Sequence, residues 1–212
     1  MDREHIMIAR AAPTAPALVL ASKSAARRRM LRDAGVPAIS DSAGIDEDEI
    51  KAAMRAEGAS ASEVAESLAE LKARRISSRH PGALVLGADQ MLALDDVWLD
   101  KPRSRDEAAQ HLAMLSGRSH GLIVSAVIVQ DGTRIWHHSD RAELKMRPLS
   151  ETFIAAYLDA MGDGVLETVG GYRLEGLGAQ LFTRVMGDYF TVLGLPLLPL
   201  LDFLRNHEVV MT

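Results

Sequence analysis

The chain has 212 residues, of which 48% are apolar and 25% are charged, as expected for a globular protein with one core or two tightly joined lobes. Its net charge of -5 and its 4% of aromatic residues argue against binding to a nucleic-acid polymer, whether through the backbone or through stacked bases. The chain contains no cysteine, which excludes disulfides, thiol nucleophiles and cysteine-ligated metals.

The composition also bears on the cellular compartment. The absence of cysteine suits a reducing cytoplasm. The first residues include Asp2, Glu4 and Arg10 and contain no continuous apolar run, so a signal peptide is not expected. The most apolar late stretch, TVLGLPLLPLLDFL, is too short to span a bilayer and contains prolines. We therefore expect a cytoplasmic protein that has no membrane partner.

The first quarter of the chain predicts short elements. Residues 1–16 are expected to be a loose extension, and the apolar run 16–22 is expected to be a short buried strand. A helix follows and ends at Gly35, because glycine readily adopts the left-handed conformation after a helix C-terminus. Residues 46–58 then predict a polar helix or a helical loop.

The next region predicts a helix, a strand and a hairpin. Ser60 and Glu63 fit a capping box, and one helical face carries three apolar residues: Val64, Leu68 and Leu71. The run ALVLGA at 83–88 is rich in β-forming residues and ends at Asp89. The segments QMLAL and VWLD then predict a hairpin around Asp95-Asp96.

The second half of the chain also mixes helices and strands. A capping box opens a helix after Ser104, and one face of this helix carries Ala108, Leu112 and Leu115. HGLIVSAVIV and RIWHHSDRAELKMRP flank Asp131-Gly132, which predicts a hairpin. Ser150 is expected to cap a helix, and glycine-punctuated strands and a last helix at 195–205 are expected after it. The fold class is therefore α/β, with a mixed β-sheet and flanking helices.

The segment ASKSAARRRML indicates an anion site. Here a strand ends, two serines follow, and a helix opens whose N-terminal N–H groups favour an anion and whose arginines add bidentate contacts. Arg27 shares a face with Met30 and Leu31, whereas Arg29 and Arg32 point elsewhere. A solvated basic helix is the alternative interpretation.

An aspartate and two lysines are the other candidates. Asp89 ends an apolar run near a turn, where open α/β sheets gather ligand sites; alternatively it caps a turn or pairs with a lysine. Lys72 lies at the margin of its helix's apolar face, where snorkelling is the usual explanation. Lys101 lies in a stiff connection before Pro102. Composition and spacing thus predict an α/β domain with an anion pocket and go no further.

Six segments, taken in order, resemble the blocks of the Maf family of nucleoside triphosphate pyrophosphatases: LVLASKSAARRRMLRDAGVP, LAELKA, VLGADQMLAL, DKPRSRDEAAQHLAMLSGRSH, GGYRLEGLGAQLF and GDYFTVLGLPLLPL. The resemblance implies one domain over residues 17–212 with a two-lobed Maf/Ham1-like architecture and a central cleft. It also implies hydrolysis of a nucleoside triphosphate between the α and β phosphates, a divalent cation (Mg²⁺ or Mn²⁺), and a homodimer.

The resemblance assigns roles residue by residue. Asp89 matches the aspartate that accepts a proton from the attacking water. Glu47 matches an acidic residue that would hold the metal together with Asp89. The residues that match the substrate-binding positions of the family are Ser22, Ser24, Arg27, Lys72 and Lys101.

Three positions that the family links to base selection are Ala26, Gln90 and Glu175. The family usually has arginine at the first of these positions, and the branch that acts on thymidine and uridine triphosphates has threonine and glutamine at the other two. Gln90 and Glu175 resemble the branch that prefers 7-methylguanosine triphosphate, since a carboxylate accepts hydrogen bonds from guanine N1–H and from its amine. That branch tends to have an aromatic residue where Ala26 stands, and alanine cannot stack on a base. We therefore expect the general reaction, with a preference for a modified base.

Two alternative functions remain open. One is a non-catalytic nucleotide-binding regulator of septum formation, the phenotype that gave the family its name, although Asp89, Lys72 and Lys101 are all present. The other is a phosphate-binding module, or a hydrolase of another nucleotide class, such as deaminated purine nucleotides. Pyrophosphate release in the presence of magnesium tests the first alternative, and the substrate profile tests the second.

Overall fold

The computed structural model describes residues 15–42 and 44–211, so most of the predicted extension at 1–16 lies outside the described residues. The chain divides into two compact units. The first unit contains the residues up to Asp89 and the segments Val124–Asp140 and Gly194–Thr212, and the second unit contains Gln90–Ile123 and Arg141–Leu193. Whether residues 17–212 fold as a single domain stays a prediction.

Strands and helices alternate along the described part of the chain. The strands are β1 (Leu18–Leu20), β2 (Ala38–Ser40), β3 (Leu84–Leu94), β4 (Val97–Leu99), β5 (Ser119–Gln130), β6 (Thr133–Met146) and β7 (Phe182–Met186). The α-helices are α1 (Ala25–Asp33), α2 (Glu47–Ala56), α3 (Ala61–Ser77), α4 (Arg105–Leu115), α5 (Glu151–Met161), α6 (Tyr189–Val192) and α7 (Leu197–Asn206). Among the described residues, 3-10 segments lie at Gly162–Glu167, Val169–Gly171 and Leu177–Leu181.

The strands form one mixed sheet in the order β2-β1-β3-β5-β6-β7, with β4 paired to β3. β1 runs parallel to both β2 and β3, whereas the β3–β4 and β6–β7 pairs are antiparallel. Asp131 and Gly132 join β5 to β6, and both have the positive φ that a two-residue hairpin turn favours. The predicted α/β class with a mixed sheet is confirmed, as is this hairpin.

Side-chain caps explain where the main helices begin. The hydroxyls of Ser24, Ser60, Ser104 and Ser150 each accept a backbone hydrogen bond in the first turn of the helix that follows. The capping box predicted at Ser60 is complete, because Glu63 also accepts the N–H of Ser60. The box predicted at Ser104 is half formed, since the Glu107 carboxylate accepts the N–H of Arg103 instead.

Each unit has its own apolar cluster. In the first unit, Ala69 and Ala73 of α3 pack with valines of β1, β3 and β5. In the second unit, α4 and α5 pack together, and the three predicted apolar residues of α4 are fully buried: Ala108, Leu112 and Leu115. Among the described residues, no helix combines the length and the apolarity that crossing a membrane requires.

Two predictions about the elements are wrong. The strands expected after residue 165 are mostly 3-10 turns, because glycines with positive φ at 170, 171 and 176 interrupt extended backbone. Within residues 165–211, β7 is the only strand. Leu71, placed on the buried face of α3 by its spacing, is 43% exposed. The buried face of this long helix instead continues through Leu68, Lys72 and Ile76.

A buried histidine makes the stability of the fold sensitive to acid. His120 is 3% exposed, its Nε2 lies 2.6 Å from the Tyr172 hydroxyl oxygen, and its Nδ1 has no hydrogen-bond partner among the described residues. Burial lowers the pKa of His120 from 6.5 to about 4, so the folded state favours the neutral ring. Between pH 6.5 and pH 4, His120 therefore binds a proton in the unfolded chain but not in the folded chain.

We expect the free energy of unfolding to be unaffected by His120 above pH 6.5 and to fall by about 3 kcal/mol as the pH drops to 4. Denaturant unfolding across this range checks the slope in the wild type and in a His120→Gln variant, which should be flatter. The matched control is His137→Gln, because His137 is exposed on β6. Parallel curves for the wild type and His120→Gln would contradict the assignment.

Candidate active site

Asp89 lies in the interior of β3 rather than at the end of a strand. The runs predicted as separate strands at ALVLGA and QMLAL are one continuous strand, and the first turn after it is the hairpin at Asp95-Asp96. The alternative in which Asp89 caps a turn is therefore wrong. The alternative in which it pairs with a nearby lysine is confirmed, because the ammonium of Lys72 lies 2.5 Å from its Oδ1.

Gly87 allows α3 to approach β3 closely just before Asp89. A Cβ atom at Gly87 would lie 2.0 Å from the carbonyl oxygen of Ala69 and 3.0 Å from the Cβ of Ala73, both on α3. Alternate residues of a strand face the same side, so Gly87 and Asp89 both face α3. The close approach brings Lys72, three residues beyond Ala69 on the helix, within reach of Asp89.

Lys72 lies at the centre of the buried face of α3, not at its margin. It is 7% exposed, and its Nζ contacts Oδ1 of Asp89 and Oε1 of Glu47, at 2.5 Å and 2.8 Å. Snorkelling to solvent is therefore the wrong explanation for this lysine. An ammonium that is this deeply buried requires carboxylate partners, because an unpaired buried charge is strongly destabilising.

Glu47 reaches the site from the first turn of α2. The Asp46 carboxylate caps this helix by accepting the N–H of Glu49, which fixes the backbone from which Glu47 projects. The side chain of Glu47 is 42% exposed, whereas Asp89 is nearly inaccessible. Both carboxylates bind the same ammonium, so their contacting oxygens are no farther apart than the sum of the two contact distances.

The second carboxylate oxygen of Asp89 has no partner in the part of the chain that the structure describes. Its Oδ2 is buried and receives no hydrogen bond from any described residue. Buried carboxylate oxygens in native proteins are nearly always satisfied by a donor, a water molecule or a cation. Lys72 thus holds one oxygen of Asp89, and the described residues leave the other oxygen without a donor.

Arg27 is a second buried cation in the same unit. Its Nε donates to the carbonyl of Gly194 at 2.7 Å, and its Nη1 donates to the carbonyl of Ala88 at 2.9 Å and to the hydroxyl of Ser22 at 3.2 Å. Burial lowers the pKa of the guanidinium, while the negative charges of Asp89 and Glu47 raise it. Arg27 lies on the buried face of α1 together with Met30 and Leu31, as its spacing predicted. The alternative interpretation, a fully solvated basic helix, is therefore wrong.

The loop before α1 is organised by two serines. Ser24 caps the helix through the N–H of Arg27, and the N–H of Ser24 donates in turn to the hydroxyl of Ser22 at 3.2 Å. Ala26 is half-buried in the first helical turn. The arrangement places two hydroxyls, a helix N-terminus and a guanidinium within one short segment, which is favourable for an anion.

The three remaining candidates belong to the second unit. Gln90 is half-buried and directs its Nε2 to the carbonyls of Thr191 and Val192, at 3.3 Å and 3.1 Å. Lys101 is exposed in the connection from β4 to α4, and Glu175 is half-buried in a turn. The contribution of these three residues to the same site stays a prediction.

The structure therefore brings together six of the candidates within the first unit: Ser22, Ser24, Arg27, Glu47, Lys72 and Asp89. Gly87 was not among them, although a lone glycine inside a strand pattern indicates close backbone approach. No group of three or more His, Asp or Glu side chains lies close enough to hold a metal within residues 15–42 and 44–211. A cation at this site would therefore rely on two carboxylates and on ligands supplied by the substrate.

Comparisons with known proteins agree with one another. The family model for Maf, described as Maf-like protein, matches residues 17–207. A nucleoside triphosphate pyrophosphatase of Paramagnetospirillum magneticum is 54% identical over 193 residues, which cover 91% of this chain and 100% of that protein. A nucleoside triphosphate pyrophosphatase of Rhodospirillum rubrum is 51% identical over 93% of this chain and 98% of its own. A 7-methyl-GTP pyrophosphatase of Rhizobium etli is 47% identical over 90% of this chain and 96% of its own.

Proposed function

The chain belongs to the Maf family, and we propose that it hydrolyses a nucleoside triphosphate between the α and β phosphates, with Asp89 as the proton acceptor for the attacking water. Its general class is that of its relatives, a nucleoside triphosphate pyrophosphatase and hence a hydrolase. The observation that carries the proposal is the asymmetric environment of Asp89, whose Oδ1 is held by Lys72 while its Oδ2 has no donor among the described residues.

This asymmetry suits a general base. The ammonium of Lys72 fixes the orientation of the carboxylate, and a general base must be held in place relative to the proton that it takes up. The free oxygen is then the atom that receives the proton of the attacking water. Attack at the α phosphorus releases pyrophosphate, so negative charge develops on the leaving group.

The cationic and N–H groups of the first unit support binding of the phosphates. The N-terminus of α1 and the hydroxyls of Ser22 and Ser24 offer donors, and Nη2 of Arg27 has no acceptor among the described residues. Fixed positive groups stabilise developing phosphate charge without reorganising during the reaction. Lys101, which matches the second lysine of the family's cleft, is proposed as a further phosphate ligand.

Two carboxylates fit a divalent cation, Mg²⁺ or Mn²⁺. Glu47 and Asp89 share one ammonium, so a cation bound with the substrate would find two negative ligands there, and a second lone pair of the Asp89 Oδ2 would remain for the proton of water. When bound, such a cation neutralises phosphate charge and orients the phosphate oxygens. The residues of the chain supply the orientation of Asp89 and the positive groups around the leaving pyrophosphate.

Gln90 is proposed to select the base as a hydrogen-bond acceptor. The short helix α6 ends at Val192, and the N–H of Leu193 donates to the carbonyls of Tyr189 and Thr191. Nε2 of Gln90 donates to the carbonyls of Thr191 and Val192, which occupies both amide hydrogens and leaves only Oε1 for a ligand. Together with the carboxylate of Glu175, this arrangement favours a base edge that presents N–H groups, such as that of guanine and its 7-methyl derivative.

We expect Gln90→Thr to change the relative kcat/KM for 7-methylguanosine over thymidine triphosphate at least about tenfold in favour of thymidine, the cost of one lost hydrogen bond. Competition between the two nucleotides measures this ratio directly. Gln110→Thr is the matched control, since Gln110 is exposed on α4. An unchanged ratio in Gln90→Thr would show that Gln90 does not read the base.

The proposed function is tested with purified protein, magnesium and a panel of nucleotides. The panel contains the triphosphates of thymidine, uridine, 7-methylguanosine, 5-methyluridine and inosine, and both pyrophosphate and monophosphate are measured. Equal release of the two products supports the reaction. If the protein binds nucleotide but releases pyrophosphate from none of the panel, the proposed hydrolase function is wrong. The result would then favour a non-catalytic nucleotide-binding regulator.

The cellular location, the physiological role and the oligomeric state of the enzyme are three further parts of the proposal. We propose a cytoplasmic enzyme that removes modified nucleotides, as the resemblance to the family implies. A homodimer is also part of the proposal, and sedimentation of the purified chain tests it. None of these three changes the chemistry that is assigned to Asp89.

A further inference from the structure

We propose that Arg27 is a positioning residue for Asp89: its guanidinium takes the place of a missing neighbouring strand beside the backbone that carries the carboxylate. This inference rests on the proposed function, in which Asp89 accepts the proton. It adds a role to the phosphate contact that the resemblance implies for Arg27. Geometry at the end of β1 carries the proposal.

The parallel ladder between β1 and β3 stops just before Asp89. Its last hydrogen bond on this edge runs from the N–H of Ala21 to the carbonyl of Leu86, at 2.8 Å. The next carbonyl on the same edge belongs to Ala88, two residues further along β3. Within residues 15–42 and 44–211 no strand pairs with it on this edge, because β1 ends at Leu20 and the chain enters helix α1 at Ala25.

Arg27 fills this gap. Its Nη1 donates to the carbonyl of Ala88 at 2.9 Å, so the peptide that joins Ala88 to Asp89 is held by a side chain where a strand would otherwise hold it. Leaving a buried carbonyl without a donor destabilises the fold, so the Arg27–Ala88 hydrogen bond contributes to stability in a way that an exposed arginine does not. The backbone position of Asp89 therefore depends on Arg27.

The guanidinium is itself fixed on two further sides. Its Nε donates to the carbonyl of Gly194 at 2.7 Å, and its Nη1 also donates to the hydroxyl of Ser22. Arg27 is 8% exposed, so it has little freedom to turn away from these acceptors. Three of its five N–H groups are committed to the protein, and the two on Nη2 are the ones left for a phosphate.

The positioning role of Arg27 depends on the hydrogen bonds of Nε and Nη1, whereas a phosphate contact depends on Nη2 and on the positive charge. Two substitutions separate these roles. Arg27→Lys keeps the positive charge but cannot reach three acceptors in the fork geometry of a guanidinium. Arg27→Met loses both the charge and the hydrogen bonds. Arg28→Lys is the matched control, since it makes the same exchange at the next residue of α1, which is exposed.

The measurement is the steady-state release of pyrophosphate with magnesium and the best nucleotide of the panel. If Arg27 positions Asp89, Arg27→Lys lowers kcat about 100-fold and changes KM less than about threefold, and Arg27→Met has a kcat as low as that of the lysine variant. If Arg27 only binds phosphate, Arg27→Lys keeps most of the wild-type kcat and Arg27→Met raises KM, which would overturn the proposal. Inactive wild-type protein would instead overturn the proposed function and this inference with it.

A second measurement does not depend on a variant that folds. A crystal structure of the wild type with magnesium and an α,β-methylene nucleotide shows where the guanidinium lies when phosphate is bound. The proposal requires Arg27 to keep its contacts with the carbonyls of Ala88 and Gly194 in that complex. A guanidinium that leaves both carbonyls to bind phosphate would refute the positioning role.

Discussion

Asp89→Asn should lower kcat for pyrophosphate release by about 10²- to 10⁴-fold, the usual contribution of a general base. An amide cannot take up the proton of the attacking water, but its oxygen still accepts the hydrogen bond that Lys72 now donates at 2.5 Å. Lys72 also keeps its contact with Glu47. We therefore expect the variant to fold and to bind nucleotide while turning it over very slowly.

The control for this variant is Asp202→Asn, the same exchange at an exposed carboxylate on α7. Nucleotide binding, measured by calorimetry in the absence of turnover, should be retained in both variants. If the activity of Asp89→Asn is within about threefold of wild type, Asp89 is not the proton acceptor. A tenfold change in rate corresponds to about 1.4 kcal/mol of activation free energy, so a threefold change is too small for the loss of a general base. Loss of nucleotide binding in this variant would instead assign Asp89 to substrate or cation binding.

Much of the local structure could be predicted because its signals are short in range. Ser60 with Glu63 predicted the start of α3, and Asp131-Gly132 predicted the β5–β6 hairpin, because in both cases neighbouring residues satisfy the backbone. The apolar face of α4 was predicted for the same reason. Where glycines dominate, as at 170–176, the sequence predicted strands, and backbone with positive φ formed turns instead.

The site was harder to predict because it depends on tertiary contacts. Lys72 follows Leu71, and spacing alone placed the leucine inside and the lysine at the margin. The structure reverses them: Leu71 is 43% exposed and Lys72 is 7% exposed. The reversal depends on Asp89 and Glu47, whose carboxylates compensate the buried ammonium and are distant from it in sequence. No helical periodicity encodes such partners.

Opposite charges around Asp89 compensate one another, which allows Arg27, Lys72 and Asp89 to be buried. Arg27 and Lys72 carry positive charges, and Glu47 and Asp89 carry negative ones, with both carboxylates acting electrostatically on Arg27. Asp89→Asn removes one negative charge from this group, and the contact between Lys72 and Glu47 still compensates the ammonium.

Gly87→Ala should lower both stability and activity, because it acts on the contact that brings Lys72 to Asp89. The added Cβ would lie 2.0 Å from the carbonyl oxygen of Ala69, a backbone atom that cannot turn aside. Helix α3 must therefore move away from β3, at a cost of about 3 kcal/mol, and it carries Lys72 with it. Thermal unfolding should show a Tm lower by roughly 10 °C.

The same variant should also release pyrophosphate about 100-fold more slowly, since a shift of about 1 Å in a supporting group has that effect on catalysis. Gly164→Ala is the matched control, because a Cβ there would make only ordinary contacts, the nearest at 3.7 Å from Met161. A Gly87→Ala protein with the Tm of the control would show that α3 and β3 tolerate the methyl group. A lower Tm with unchanged kcat would instead show that the Lys72–Asp89 contact survives the displacement of the helix, and that the orientation of Asp89 does not depend on close packing at Gly87.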